Sequence, residues 1–176
     1  NPEWLVEVAD IYFESTLFED AFKLYSMFLT YYPQDAKWVP WTTFRAGECR
    51  RYQGELRAAQ RLYDQVIEEY PKSDSAMWAQ VRKIQLQESR DAEARLADLS
   101  GILESGIVSN ATFEAYLQKA RLLGGSGKYQ PALETLNDLL ILNAQVDIVE
   151  RANQFKHRFL TQGMKKALEN GRPEFA

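Results

Sequence analysis

The sequence predicts an all-α solenoid, a row of helix hairpins in which each hairpin buries its apolar face only against its neighbours. Three observations carry this. Trp4, Trp41 and Trp78 stand at one interval (41 − 4 = 37, 78 − 41 = 37). Ala21, Tyr25 and Pro33 return 38 residues later as Ala59, Tyr63 and Pro71. Between these landmarks apolar residues recur at spacings of three and four, with no alternating-strand segment. A repeat period between about 20 and 50 residues marks an array of supersecondary units. Arrays present long open surfaces rather than enclosed reaction chambers.

The elements follow in order. Asn1, Pro2 and Glu3 read as a helix start: a capping acceptor, a proline at the first helical position and an acid in the first turn. The first helix runs to about Ser15, with Leu5, Val8, Ala9 and Tyr12 on one stripe. Phe18 opens a connection to a second helix over about 19–31, with Ala21, Leu24, Tyr25 and Phe28 inward. Pro33 ends it, because the residue before a proline is pushed out of the helical region. The plan repeats over about 39–52 (Phe44, Ala46, Gly47 and Cys49) and about 56–70 (Ala59, Leu62, Tyr63, Val66 and Ile67), with Gly54 as the turn and Pro71 as the stop. Ser73 and Asp74 cap a helix over about 75–88; its partner, about 92–104, carries Leu96, Leu99 and Leu103 and stops at Gly106. Asn110 caps a helix to about Leu123, Gly124-Gly125-Ser126-Gly127 reads as a break, and about 129–142 forms the mate with Ala132, Leu136 and Leu139. A final helix over about 146–169 carries Val149, Ala152, Phe155, Phe159 and Leu160 at helical spacing, which suits a cap on the apolar end of the array. The chain thus divides into repeats of about 1–36, 37–72, 73–108 and 109–144 plus that helix, one domain over 1–176. Arg45 and Arg82 share the tryptophan interval (82 − 45 = 37).

Composition narrows the activity. A content of 45% hydrophobic and 12% aromatic residues supplies a continuous core. A net charge of −4 argues against a nucleic-acid or anionic-membrane binder, which needs a basic field. The charge is polarised. Residues 1–35 carry Glu3, Glu7, Asp10, Glu14, Glu19, Asp20 and Asp35 against Lys23 alone. From Glu150 onward Arg151, Lys156, Arg158, Lys165, Lys166 and Arg172 outnumber Glu150, Glu169 and Glu174. Acidic and basic ends allow head-to-tail self-association. No stretch of about 18 apolar residues exists to insert in a bilayer. A chain starting at Asn1 without Met or a leader reads as a processed form or an excised piece.

Chemistry-bearing clusters are sparse. One His157 and one Cys49 make no metal or cofactor set, so no cofactor and no enzymatic activity are expected; Cys49 reads as a small buried hydrophobe and His157 as a solvated or packing residue. Gly124 to Lys128 superficially suggests a phosphate loop, but Leu122 stands where its first glycine is required, Tyr129 follows the lysine and a helix precedes it. The segment reads as an inter-helix turn. Adjacent acids such as Glu68 and Glu69 diverge on a helix and cannot act as an acid–base pair.

At this point the residues resemble the tetratricopeptide repeat, a helix-turn-helix unit of about 34 residues. Reading back from Pro33 places Leu5, Ala9, Tyr12, Ala21, Tyr25 and Phe28 at the signature positions; Pro71 does the same for Ala46, Gly47, Ala59, Tyr63 and Val66, with Arg50 where an aromatic or leucine is usual. Tyr116, Ala120, Leu123, Ala132, Leu136 and Leu139 fit a further unit in which Ala144 replaces the proline. The resemblance implies a right-handed solenoid that binds a protein or peptide along a concave groove lined by the first helix of each unit. The matching positions are Val6, Asp10 and Phe13; Trp41, Phe44, Glu48 and Arg51; Trp78, Val81 and Gln85; Leu117 and Arg121. Trp41 and Trp78 fit either that groove or the core against the preceding hairpin. A clamp for carboxylate tails, which some members carry, needs Lys and Asn where Val6 and Asp10 stand, so that mode is not expected. The phrases Tyr32-Pro33 with Trp41 and Tyr70-Pro71-Lys72-Ser73 with Trp78 look like those of bacterial envelope proteins of this class, such as the lipoprotein of the outer-membrane β-barrel assembly machinery and the Tol-Pal coordinator. This implies a periplasmic or outer-membrane-associated location.

Overall fold

The computed structural model describes residues 2–87, 90–142 and 144–169, and the chain divides into two compact units, Asn1–Gln87 and Glu88–Ala176. Among the described residues the secondary structure is nine α-helices and no strand. The expected cap at Asn1, the expected helix end at Glu88, and Arg172 and Glu174 of the basic end lie outside the described residues.

The first unit contains α1 (Pro2–Glu14), α2 (Phe18–Tyr31), α3 (Val39–Tyr52), α4 (Leu56–Glu69) and α5 (Asp74–Leu86). Each helix packs on the next, and α3 also reaches α5. The second unit contains α6 (Ala92–Glu104), α7 (Asn110–Gly125), α8 (Tyr129–Ile141) and α9 (Val146–Glu169), packed α6 on α7, α7 on α8 and α8 on α9, with α7 also against α9. In the second unit α9 therefore stands to α7 as α5 stands to α3.

The small residues let paired backbones close. Ala9, Ala21, Ala59, Ala120 and Ala132 are fully buried. A Cβ added to Gly47 would lie 2.7 Å from the Tyr63 ring, so only glycine admits that ring at this height on α3. Tyr25, Phe28 and Tyr63 are likewise fully buried, and each contributes roughly 1.5–3 kcal/mol of transfer free energy.

Three hairpin turns share one geometry. Seven residues after Ala9, Gly47 and Ala120 stand Thr16, Gly54 and Gly127, with φ of +62°, +80° and +74°. One residue further on, the amide N–H of Leu17, Glu55 and Lys128 donates to the carbonyl of Tyr12, Arg50 and Leu123 at 3.0, 2.9 and 2.9 Å. This is the Schellman stop, in which one left-handed residue turns the chain back on the last carbonyls of a helix. Glycine supplies that conformation at no steric expense, whereas Thr16 adopts it as a β-branched residue.

The structure corrects several expectations. The tryptophan interval is not the register of the first two hairpins. Asp10 with Tyr25 and Glu48 with Tyr63 form equivalent bonds, which sets that register at 38 (48 − 10 = 38, 63 − 25 = 38). Trp4 then falls at the height of Thr42, and Glu3 at that of Trp41. The inward stripe of α1 is Val6, Ala9 and Phe13; Tyr12 is exposed, and Leu5 and Val8 are half-buried. A first helix between its own mate and the next hairpin buries two faces, and the apolar pattern alone does not rank them. Ser109, not Asn110, caps α7 by accepting from the Thr112 N–H. Gly124 and Gly125 continue α7 instead of breaking it. A Cβ at Gly124 would lie 2.2 Å from the Phe159 ring, so this glycine provides close approach and the turn falls at Ser126–Gly127. On α9 the buried residues are Ile148, Ala152 and Phe159, while Leu160 faces solvent.

Candidate functional site

The first helices α1, α3 and α5 carry two copies of one polar constellation. Asp10 on α1 accepts from the Tyr25 hydroxyl on its own hairpin mate, from Arg45 Nε at 3.1 Å and from Trp41 Nε1 at 3.2 Å, the last two on the following first helix. One hairpin later Glu48 on α3 accepts from the Tyr63 hydroxyl and from Arg82 Nε at 3.1 Å, and forms a two-pronged pair with Arg51 at 2.9 and 3.0 Å. The Arg45 guanidinium lies 3.6 Å above the Phe13 ring and 5.1 Å from that of Trp41; Arg82 lies 5.1 Å from Trp78. Each acid thus ties its own hairpin to the next. The series stops at Gln85, which stands one α3-to-α5 step after Glu48 (85 − 48 = 37) and accepts from Arg82 Nη1 at 2.9 Å.

Burial pushes the Glu48 carboxyl up, but the hydrogen bond from Arg51 and the charges of Arg82 and Arg51 outweigh it and hold the group below its ordinary value. Burial, with the acid beside each, drives the Tyr25 and Tyr63 hydroxyls well above the usual phenol range, so both remain donors. For Arg45 burial favours loss of the proton, and Tyr25, Glu14 and Asp10 reverse it. The carboxylates are fully engaged as acceptors between hairpins. The Cys49 thiol, buried in the cluster of Ala9, Phe13, Ala21, Tyr25 and Ala46, is pushed up to about 12 by desolvation and packs as a small hydrophobe.

Of the sequence-derived groove residues, Val6, Phe13, Phe44, Val81 and Leu117 are core, and Glu48 is buried with 4% exposure. Asp10, Trp41, Arg51, Trp78 and Gln85 are half-buried and lie on successive first helices of the first unit; Arg121, on α7, is exposed. Trp41 and Trp78 pack against the preceding hairpin, Trp41 with the Val6–Phe28 cluster and Trp78 with Phe44 and Tyr63, and each keeps part of its ring in solvent. Phe44 sits between them, 6.0 and 6.3 Å from the two rings. Sequence reasoning found Tyr25, Tyr63, Arg45 and Arg82 as landmarks but missed their joint role. The available signal was an acid fifteen residues before each repeated tyrosine.

Arg50, at the position where an aromatic was expected, covers the Phe22 ring at 3.5 Å and bonds Gln53 and Glu55, so its flat guanidinium fills an aromatic's place. On α9, Glu150, Asn153, Gln154 and His157 line a shallow depression. Among the described residues no group of three His, Cys, Asp or Glu side chains converges as a metal set, and no helix is long and apolar enough to cross a membrane.

Comparison with known proteins agrees with this geometry. The tetratricopeptide-repeat family model matches residues 43–73, which hold most of α3, all of α4 and the following turn. Solved structures similar to the chain include a thermophilic tetratricopeptide-repeat protein of Thermus thermophilus (TM-score 0.66, 14% identity, 99% of this chain and 95% of that one). A tetratricopeptide-repeat protein of Parabacteroides merdae gives a TM-score of 0.59 at 18% identity, covering 99% and 72%. The tetratricopeptide-like repeats of a kinesin light chain described as putative, from Podosopora anserina, give 0.61 at 14% identity, covering 99% and 90%. No curated protein matches the chain in sequence.

Proposed function

From a chain whose residues 43–73 are a tetratricopeptide repeat and whose fold is that of tetratricopeptide-repeat structures, we propose a non-enzymatic adaptor that holds a peptide or partner helix along the first helices of its hairpins. One observation carries this reading. Trp41 and Trp78 are held by Asp10 and by Arg45 and Arg82 of the acid–tyrosine–arginine constellations yet stay half-exposed, and Arg51 and Gln85, further along α3 and α5, are half-buried as well. Half-buried aromatics and arginines with fixed rotamers lose little entropy on binding, which is the property of interface anchors. Glu48, buried, and Asp10, half-buried, serve to hold that surface. Arg121, exposed on α7, holds the position that Gln85 holds on α5, whereas Leu117 lies in the core.

In this reading the assembly belongs to a bacterial cell envelope, in the periplasm or at the outer membrane. The repeated Tyr-Pro and Trp phrases support that placement, and two of the similar structures are bacterial. The test is capture of partners from the native host with the intact chain, followed by titration of the captured partner against Trp78→Ala and Gln85→Glu. Thermal melting of each variant serves as the control. Loss of binding by at least about tenfold in variants that melt normally supports the surface. Unchanged binding to a partner that the intact chain captures sinks it.

A further inference from the structure

The second helices repeat a buried triplet, and one copy of it is altered. Ala21 on α2, Ala59 on α4 and Ala132 on α8 each open a buried set continued four and seven residues later, which on α8 is Ala132, Leu136 and Leu139. On α6 the buried set is Arg95, Leu99 and Ile102 (132 − 95 = 37, 136 − 99 = 37, 139 − 102 = 37). An arginine therefore stands where the three sister helices carry alanine. Arg95 is 8% exposed, its Nε is enclosed without an acceptor, and the exposure that remains lies at the guanidinium tip.

The next helix brings a second cation to the same height. In the first unit Ala21 packs against Ala46 and Cys49 of α3. With Ala120 equivalent to Gly47, those two positions fall on α7 at Lys119 and Leu122 (120 − 47 = 73, 119 − 46 = 73, 122 − 49 = 73), both half-buried, and α6 packs on α7. The lysine at this height on α5 is Lys83, which pairs with Asp64 of α4. In the second unit Ser100 replaces that acid (100 − 64 = 36, 119 − 83 = 36). The other acids of the neighbourhood are engaged elsewhere: Glu93 with Lys128, Asp98 with Arg90, Asp91 with the Ala94 N–H, and Glu114 with Arg151 and Gln118. Glu104 lies at the far end of α6. Among the described residues neither the Arg95 nor the Lys119 side chain has a hydrogen bond or an ion pair.

We propose that Arg95 and Lys119 form a recognition site for a carboxylate, the side chain of an aspartate or glutamate that a partner protein brings to the α6–α7 contact. The planar fork of an arginine matches the two oxygens of a carboxylate, and the lysine ammonium supplies a further donor. Taking a guanidinium out of water without a counter-charge is unfavourable; the folded chain has already done this, so an arriving carboxylate offsets that loss. The site is separate from the surface at Trp41 and Trp78, and each stands or falls alone.

The Nε–H resonance of Arg95 in the intact chain, assigned by its loss in Arg95→Ala, reports on the site. That variant carries the residue of the sister helices, and circular dichroism checks its fold. The probe is acetylated tetraglutamate, set beside acetate, phosphate and chloride at one ionic strength of about 0.15 M, so that general screening is constant. The resonance should shift saturably with the peptide and, at higher concentration, with acetate, and not with chloride. By calorimetry, Lys119→Ala should weaken peptide binding at least about tenfold, and Arg95→Ala should abolish it. Arg95→Lys keeps the charge but loses the fork, and should weaken binding to a similar degree as Lys119→Ala. An Arg95 that merely fills space would show no shift with any anion, and that result overturns the proposal. So does a response to phosphate without one to the peptide or acetate, or peptide binding that survives Arg95→Ala.

Discussion

The first and second units use one hairpin template with opposite chemistry at the same height. Ala9, Gly47 and Ala120 are equivalent, and so are the turns at Thr16, Gly54 and Gly127. The next residue along the first helix is Asp10, Glu48 and then Arg121; the matching residue on the second helix is Tyr25, Tyr63 and then Leu136. In the first unit this pair is a hydrogen bond, half-buried at Asp10 and buried at Glu48, that recruits an arginine from the next first helix. In the second unit Leu136 joins an apolar cluster with Leu117, Leu139, Ile148, Ala152 and Phe159, and Arg121 turns to solvent. There the ion pair moves elsewhere, to Glu114 with Arg151 at 2.9 Å between α7 and α9. Small residues and the Schellman stop define the hairpin, whereas the adhesive between hairpins is exchangeable. A polar adhesive fixes register, since sliding by one turn would leave a buried charge unpaired. An apolar one relies on shape, here Phe159 in the notch over Gly124.

Four measurements sharpen or break this contrast, and the largest effect lies in the second unit. Phe159→Ala should lower stability by about 3–5 kcal/mol, because it empties a buried site that Gly124 cannot refill. Denaturant unfolding gives the magnitude, and segment-resolved hydrogen exchange should show α7 to α9 loosening first. A loss under about 1 kcal/mol would mean that shape is not what holds this unit.

Next comes Glu48→Ala, expected to lose about 3 kcal/mol. This is the low end for breaking a buried pair, because the Arg51 and Arg82 side chains, 23% and 20% exposed, regain some water. The acid also predicts a pH signature. Its folded pKa lies below the ordinary 4.5, so its stabilisation is fully present above that value and disappears as pH falls through the lower folded value. Glu48→Gln should flatten that part of the acid limb of the stability curve; an unchanged limb would contradict the assigned role.

Gly47→Ala should lose about 1–3 kcal/mol by overpacking, since Tyr63 is pinned by Glu48 and cannot swing away. The smallest effect has the opposite sign. Thr16→Gly should gain about 1 kcal/mol, the relief of a left-handed β-branched residue less the extra freedom of glycine in the unfolded chain. A loss of stability would show that Thr16 makes a contact worth more than its strain.

Much of the fold is legible in the letters because its signals are local. Pro33 and Pro71 end helices through steric exclusion at the preceding residue, and Tyr32 and Tyr70 accordingly leave the helix with matching angles. The limits 39–52 and 92–104 follow from apolar spacing and agree with α3 and α6. The candidate site was less legible. Val6, Phe44, Val81 and Leu117 sit at first-helix positions assigned to a groove, yet their side chains fill the core, because an apolar residue at such a height faces inward when the next hairpin covers it.

By itself the sequence determined the helices, the pairing of α1 with α2, α3 with α4 and α7 with α8, the small residues at close approach and the recurring turns, since propensity, capping and period act over a few neighbours. Only the tertiary structure decided that the hairpin register is 38 and not the tryptophan interval, that Gly124 makes room for Phe159, and that Asp10 and Glu48 link successive hairpins. Each of those depends on which surfaces meet across 15 to 35 residues of chain, and burial, with the desolvation that gives a carboxylate its partners, exists only once they have met.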